Sequence, residues 1–407
     1  MNQYKQHTLA NGLRIVHIPF QGTVSYCGVI INVGSRDEDE PHHGSAHLIE
    51  HMLFKGTEKR NSEQIIERLE SVGGELNAYT SKEETVVYAA FLKKYTQRAV
   101  ELIADVVSHS KFPQEELKKE IAIVQDEIES YNDTPAELIF DDFEELLFSG
   151  NSMAHNILGT KRQLKSFSVE KLNSFFKSHY IPSEMVFFSL GGVQFDKLVR
   201  WCEIYFNTSS VSKTDYPRLT PSIQPVSHKT IKRKTNQVHC LMGGEAYSLH
   251  SPDRSALYLL NNILGGPGMS SLLNLSLREK HGLVYSVESI YQPFSDTGWW
   301  TVYFGTDPDN SQKCENLIKE ELKKLCENKI SDKKLKQYKI QLSGQMAISS
   351  ENKESTALAL GKSIMRYGRY SSPDEVRERI NNISAEQLQS VAIEIFDTEK
   401  LHVLKYV

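Results

Sequence analysis

The sequence predicts an α+β protein of two similar domains, each a largely antiparallel sheet packed with helices. Three observations predict it. Gly-bounded runs of β-branched residues alternate with segments of helical apolar period. The 407 residues exceed one ordinary core and fit two domains of about 200 residues each. A weak internal repeat links the two halves.

The elements follow in order. Residues 12–18 (GLRIVHI) and 25–33 (SYCGVIINV) read as strands. Residues 44–53 read as a buried helix and 62–72 as an amphipathic one, capped by Ser62 with Ile65, Ile66 and Leu69 on one face. Residues 85–91 (TVVYAAF) return to strand, and helices are expected over 96–107 and 114–129. Residues 207–228 are rich in Ser, Thr and Pro without apolar periodicity, so a linker is placed there between domains at 1–206 and 229–407. The repeat is a shift of 210 residues that lays Ser45 on Ser255, Ala46 on Ala256, Leu53 on Ile263 and Gly56 on Gly266. It puts Leu257, Leu260 and Asn261 where the first half has His47, Glu50 and His51. The second half then carries the helix without its chemistry.

Composition narrows the function classes. Apolar residues at 39%, charged residues at 24% and a net charge of −5 with both signs interspersed describe a soluble globular protein and give no support for nucleic-acid binding. Five cysteines without a CxxC spacing read as reduced thiols. No run approaches the roughly 20 apolar residues of a membrane span, and the N-terminal stretch is interrupted by polar residues, so a cytoplasmic location without membrane attachment is expected.

The decisive motif is His47-Leu48-Ile49-Glu50-His51. Residues four apart share a helix face, so His47 and His51 can offer two imidazoles to one metal, with Glu50 beside them. The surrounding Ala46, Leu48, Ile49, Met52, Leu53 and Phe54 are apolar, and burying two imidazoles and a carboxylate among them without partners would be costly. A third protein ligand is expected. Glu120 and Glu127, two turns apart on one face of the later helix, both qualify, and the pattern alone does not choose between them.

This pentapeptide, together with VGGELNAYTSKEETVVYAAF, KKEIAIVQDEIESYNDTPAEL, NILGT and LGGPGMSSLLNLSLREKHGLVYSV, resembles the pitrilysin/insulinase family of zinc metallopeptidases. The likeness is to the short, two-domain type related to the mitochondrial processing peptidase, in which each chain forms half of a clamshell. The family motif continues to a glutamate 76 residues after the second His, which is Glu127 here. The resemblance thus implies one Zn2+ per chain held by His47, His51 and Glu127, with Glu50 as general base and Glu120 orienting a ligand from behind. It also implies a peptide or unfolded polypeptide substrate laid along a sheet edge at Asn77 and Ala78, with Arg278 and Tyr285 completing the site across a dimer. Because the chain carries both residue sets, a homodimer is expected; a heterodimer with a paralogous subunit, or a non-catalytic subunit, is the alternative. One departure stands out: relatives often have Arg-Leu after Met-x-Ser, where this chain has Leu272-Leu273.

Overall fold

The predicted strand runs fold as two separate sheets, in a computed structural model that describes residues 4–208 and 218–407. The first sheet contains β1 (Lys5–Thr8), β2 (Arg14–Pro19), β3 (Val24–Ile31), β4 (Glu75–Thr80), β5 (Thr85–Leu92) and β6 (Met185–Gly191), in the order β1-β2-β6-β3-β5-β4. The second contains β7 (His228–Ile231), β8 (Val238–Glu245), β9 (Val284–Pro293), β10 (Gly298–Thr306) and β11 (His402–Tyr406), in the order β7-β11-β8-β10-β9. Each is antiparallel apart from one parallel pair, β2 with β6 and β7 with β11. This is the α+β class the sequence predicts.

Leaving β1 aside, the two sheets have one topology: first, fifth, second, fourth, third strand, with the parallel pair joining first and fifth. In each, a helix follows the second strand, Ser45–Met52 in one and Arg254–Gly265 in the other. Those are the helices that the repeat of 210 residues superposes.

Two compact units result, and neither is a continuous stretch. One comprises Met1–Glu129, His155–Arg218 and Ser349–Ser372; the other comprises Ser130–Ala154, Leu219–Ile348 and Pro373–Val407. Part of the expected linker, 209–217, lies outside the described residues.

In the first unit, Cys27, Val29, Ile31, Val87, Ala89 and Phe187 point into a core shared with the helices Ser45–Met52, Thr96–Ser108 and Gln114–Asn132. The alternate residues Val16, Ile30, Val86, Val186 and Phe188 face the other way, as the two-residue strand period requires. They are covered by Ala357, Leu360 and Ile364 of the helix Lys353–Tyr367, which comes from the far end of the chain. Gly361 permits the contact, since a Cβ there would lie 2.6 Å from the Phe188 ring. The second unit mirrors this. Cys240, Met242, Trp300 and Phe304 face one core, while Leu241, Trp299, Tyr303 and Tyr406 pack on the helix Pro135–Phe148 from the first half of the sequence.

Candidate active site

The helix Ser45–Met52 is fixed by what it buries. Ala46, Leu48, Ile49 and Met52 are fully enclosed, and the helix packs on β4. Its start has no side-chain cap of its own. Instead the buried Glu38 carboxylate accepts from the backbone N–H of Gly44 at 2.8 Å and of Ala46 at 2.7 Å, supplying acceptors that a helix N-terminus needs. Burial pushes the Glu38 carboxyl up to about 8, against the pull of those two donors. Gly44 adopts φ +94° and meets Gly159, at φ +71°, backbone to backbone, so neither position accepts a larger residue without strain.

His47 and His51 project together from this helix, with ring centroids 4.7 Å apart and planes at 66°. Burial, and then the neighbouring His51, lowers the His47 pKa to about 3, so His47 is a neutral imidazole, the form that ligates metal. Across from them the helix Gln114–Asn132 buries Leu117, Glu120 and Val124 along the stripe that ends at Glu127. Glu127 Oε2 lies 3.8 Å from His47 Nε2 and 3.7 Å from His51 Nε2, and one ligand atom from each residue falls within 4.8 Å of the others. Ligand atoms around tetrahedral zinc are roughly 3.3 Å apart, so two imidazole nitrogens and a carboxylate oxygen here fit that ion with little adjustment. Glu120 does not join them: its Oε2 lies 3.0 Å from His51 Nδ1, on the far side of the ring, and its Oε1 lies 2.7 Å from Lys55 Nζ.

Glu50 stands on the same helix, half-buried, with its pKa raised by burial. Thr80, the last residue of β4, donates its hydroxyl to Glu50 Oε2 at 2.7 Å. β4 is an edge strand; along it Asn77 is exposed and Ala78 is half-buried against the core.

Arg278 and Tyr285 belong to the second unit. Arg278 is exposed in a π-helical turn, Asn274–Glu279; Tyr285 is 65% exposed near the start of edge strand β9 and donates its hydroxyl to Asp307 at 3.0 Å. Both line a cavity of about 440 Å³ with Asn261, Gly265, Gly266 and Glu288. Leu272, where relatives often carry arginine, packs half-buried against the second core.

Three residues around the site escaped sequence reasoning. Lys55 lies four residues after His51, a spacing that could have found it. Thr80 and Glu38 meet the helix only through the tertiary fold.

Profile comparison matches residues 15–161 to the family described as Insulinase (Peptidase family M16), and residues 166–342 to the Peptidase M16 inactive domain. An uncharacterized zinc protease of Bacillus subtilis is 33% identical over 397 residues, covering 96% of this chain and 95% of that protein. The chain belongs to the M16 peptidase family. The mitochondrial-processing peptidase subunit beta of Bos taurus is 29% identical over 392 residues, covering 94% of this chain and 80% of that protein. The fold recurs in the crystal structure of a peptidase M16 inactive domain from Pseudomonas fluorescens, with a TM-score of 0.92 and 19% identity over 99% of this chain and 97% of that one. It recurs again in a protease from Helicobacter pylori, with a TM-score of 0.91 and 20% identity over the whole of both chains. Among the described residues no helix is long and apolar enough to cross a membrane.

Proposed function

We propose that this M16 chain is a zinc-dependent endopeptidase acting on peptides or unfolded polypeptide segments, with one Zn2+ held by His47, His51 and Glu127. The observation that carries the reading is the convergence within 4.8 Å of His47 and His51, from the helix that also presents Glu50, with Glu127 from the helix Gln114–Asn132. Zinc held there would supply Lewis-acid chemistry to a water and to a peptide carbonyl. Glu50 would hold the proton released in hydrolysis and pass it to the departing amine. Its burial raises its proton affinity, which suits a group that must hold a proton between two steps.

The open edge of β4 supports binding of an extended peptide by strand addition, which reads backbone more than side chain. In this reading Asn77 and Ala78 line the substrate backbone. Tyr285 donates a hydrogen bond to the developing oxyanion, and Arg278 holds a substrate carbonyl. We further propose a homodimer in which Arg278 and Tyr285 of the partner subunit complete each site. Five scattered, unpaired cysteines support a cytoplasmic location. A second reading, a non-catalytic subunit or one that depends on a heterodimeric partner, draws on the match of the second half to the family's inactive domain.

The test is cleavage of an unfolded-peptide mixture by wild type and Glu50→Gln, with products read by mass spectrometry and zinc by elemental analysis. Wild type should cleave, and Glu50→Gln should keep zinc while losing nearly all turnover. Zinc binding without cleavage by either protein would favour the second reading. Light scattering that finds an active monomer would overturn the homodimer.

A further inference from the structure

We infer that Lys55 is a positioning residue of the metal site: its ammonium fixes the Glu120 carboxylate, which in turn decides which nitrogen of His51 carries the proton. The inference rests on the reading of His51 as a metal ligand.

The geometry is a three-member chain with a single direction. Lys55 sits in the turn just beyond the metal-binding helix, its backbone N–H bonded to Met52 O at 3.1 Å, so its side chain returns along the face that carries His51. Its Nζ reaches Glu120 Oε1 at 2.7 Å. The other carboxylate oxygen, Oε2, is 3.0 Å from His51 Nδ1. The Glu120 side chain is 4% exposed, which leaves solvent little access to it. An ammonium has three donors and no acceptor, and a carboxylate has only acceptors. With Lys55 on one oxygen, the other accepts from His51, and the proton of that imidazole resides on Nδ1. The Nε2 lone pair is thereby committed to the side where Glu127 lies, 3.7 Å away.

His47 shows what the absence of such a chain looks like. Its Nδ1 is buried and has no hydrogen-bond partner among the described residues. None of the described residues therefore selects the tautomer of His47, whereas two residues in series select that of His51. The two histidines are unequal ligands, and His51 is the pre-organised one. A Lys–Glu pair also adds no net charge, so Glu120 orients His51 without placing a further uncompensated anion beside Glu50 and Glu127.

The test needs no peptidase activity, so it is separable from the fate of the proposed function. Metal-free protein labelled with 15N in its 14 histidines is examined by long-range 1H–15N NMR, with His51 assigned by loss of its signals in His51→Gln. Wild type should show His51 in the Nδ1–H form. Lys55→Met should show a mixture of tautomers, and chelator competition should find zinc bound about 10- to 100-fold more weakly. Lys55→Arg should recover most of the affinity. A wild-type His51 protonated on Nε2 would overturn the inference whether or not any variant folds. So would a folded Lys55→Met with unchanged tautomer and zinc affinity within about twofold of wild type.

Discussion

Thr80 hydrogen-bonds Glu50 at 2.7 Å, joining the last residue of an edge strand to a carboxylate on the helix Ser45–Met52. In the proposed function, a peptide added to β4 would therefore press on the strand that holds the proton carrier. Thr80→Val keeps the shape and removes the donor. A hydrogen bond to a charged group contributes roughly 1.5–3 kcal/mol, so kcat should fall about 10- to 100-fold with KM and zinc content little changed. Thr80→Ser should stay within about threefold of wild type in the same steady-state assay.

Glu38 is expected to matter for stability before chemistry. Removing it strands the N–H groups of Gly44 and Ala46 at a buried helix start. Glu38→Ala should destabilise the first unit by about 2–4 kcal/mol, and Glu38→Gln, which keeps one acceptor, by clearly less. Chemical denaturation followed by circular dichroism checks both; equal losses would contradict the capping role.

His17 predicts an acid limb. It is fully buried on β2, with Nδ1 3.2 Å from Ser189 Oγ, and burial lowers its pKa to about 4. An unfolded histidine titrates near 6.5. Between those values the unfolded chain binds the proton that the folded chain refuses, so stability falls as pH drops through that window, by about 3 kcal/mol in total. Denaturation midpoints of wild type and His17→Gln from pH 7 to pH 4 should converge as the pH falls. Parallel curves would remove His17 as the cause.

Leu360 tests the helix that covers the first sheet. It is fully buried against the outer face of that sheet. Leu360→Ala should cost about 2–5 kcal/mol, read as a lower denaturation midpoint, although the residue lies more than 200 positions from His47, His51 and Glu127 in sequence.

Much of the first unit was legible because it obeys local rules. The β-branched runs that became β3 and β5 and the apolar helix around His47 announce themselves residue by residue. The i,i+4 histidines were legible for the same reason, and the stripe carrying Glu120 and Glu127 follows from helical spacing. Helical spacing did not say which of those two acids faces the histidines, and only the family resemblance pointed to Glu127, since both project from one side and tertiary packing sets 3.7 Å for one and the far nitrogen for the other. Thr80 and Glu38 were invisible because their partners lie across a loop or a sheet. The exchange of covering helices was hidden too, because composition marks where a chain is polar and cannot show which distant helix lies on which sheet.

That exchange sets a schedule for biosynthesis. Val186 and Phe188 are in place on the first sheet long before Leu360 and Ile364 exist, so one apolar face of the nascent protein stays bare while some 170 further residues are translated. The N-terminal half cannot finish folding on the ribosome ahead of the rest, as an ordinary leading domain would. A cell making this protein must shield that face until the helix Lys353–Tyr367 emerges, in the last seventh of the chain, and a premature stop codon anywhere before it would release a polypeptide prone to aggregate rather than a smaller folded protein.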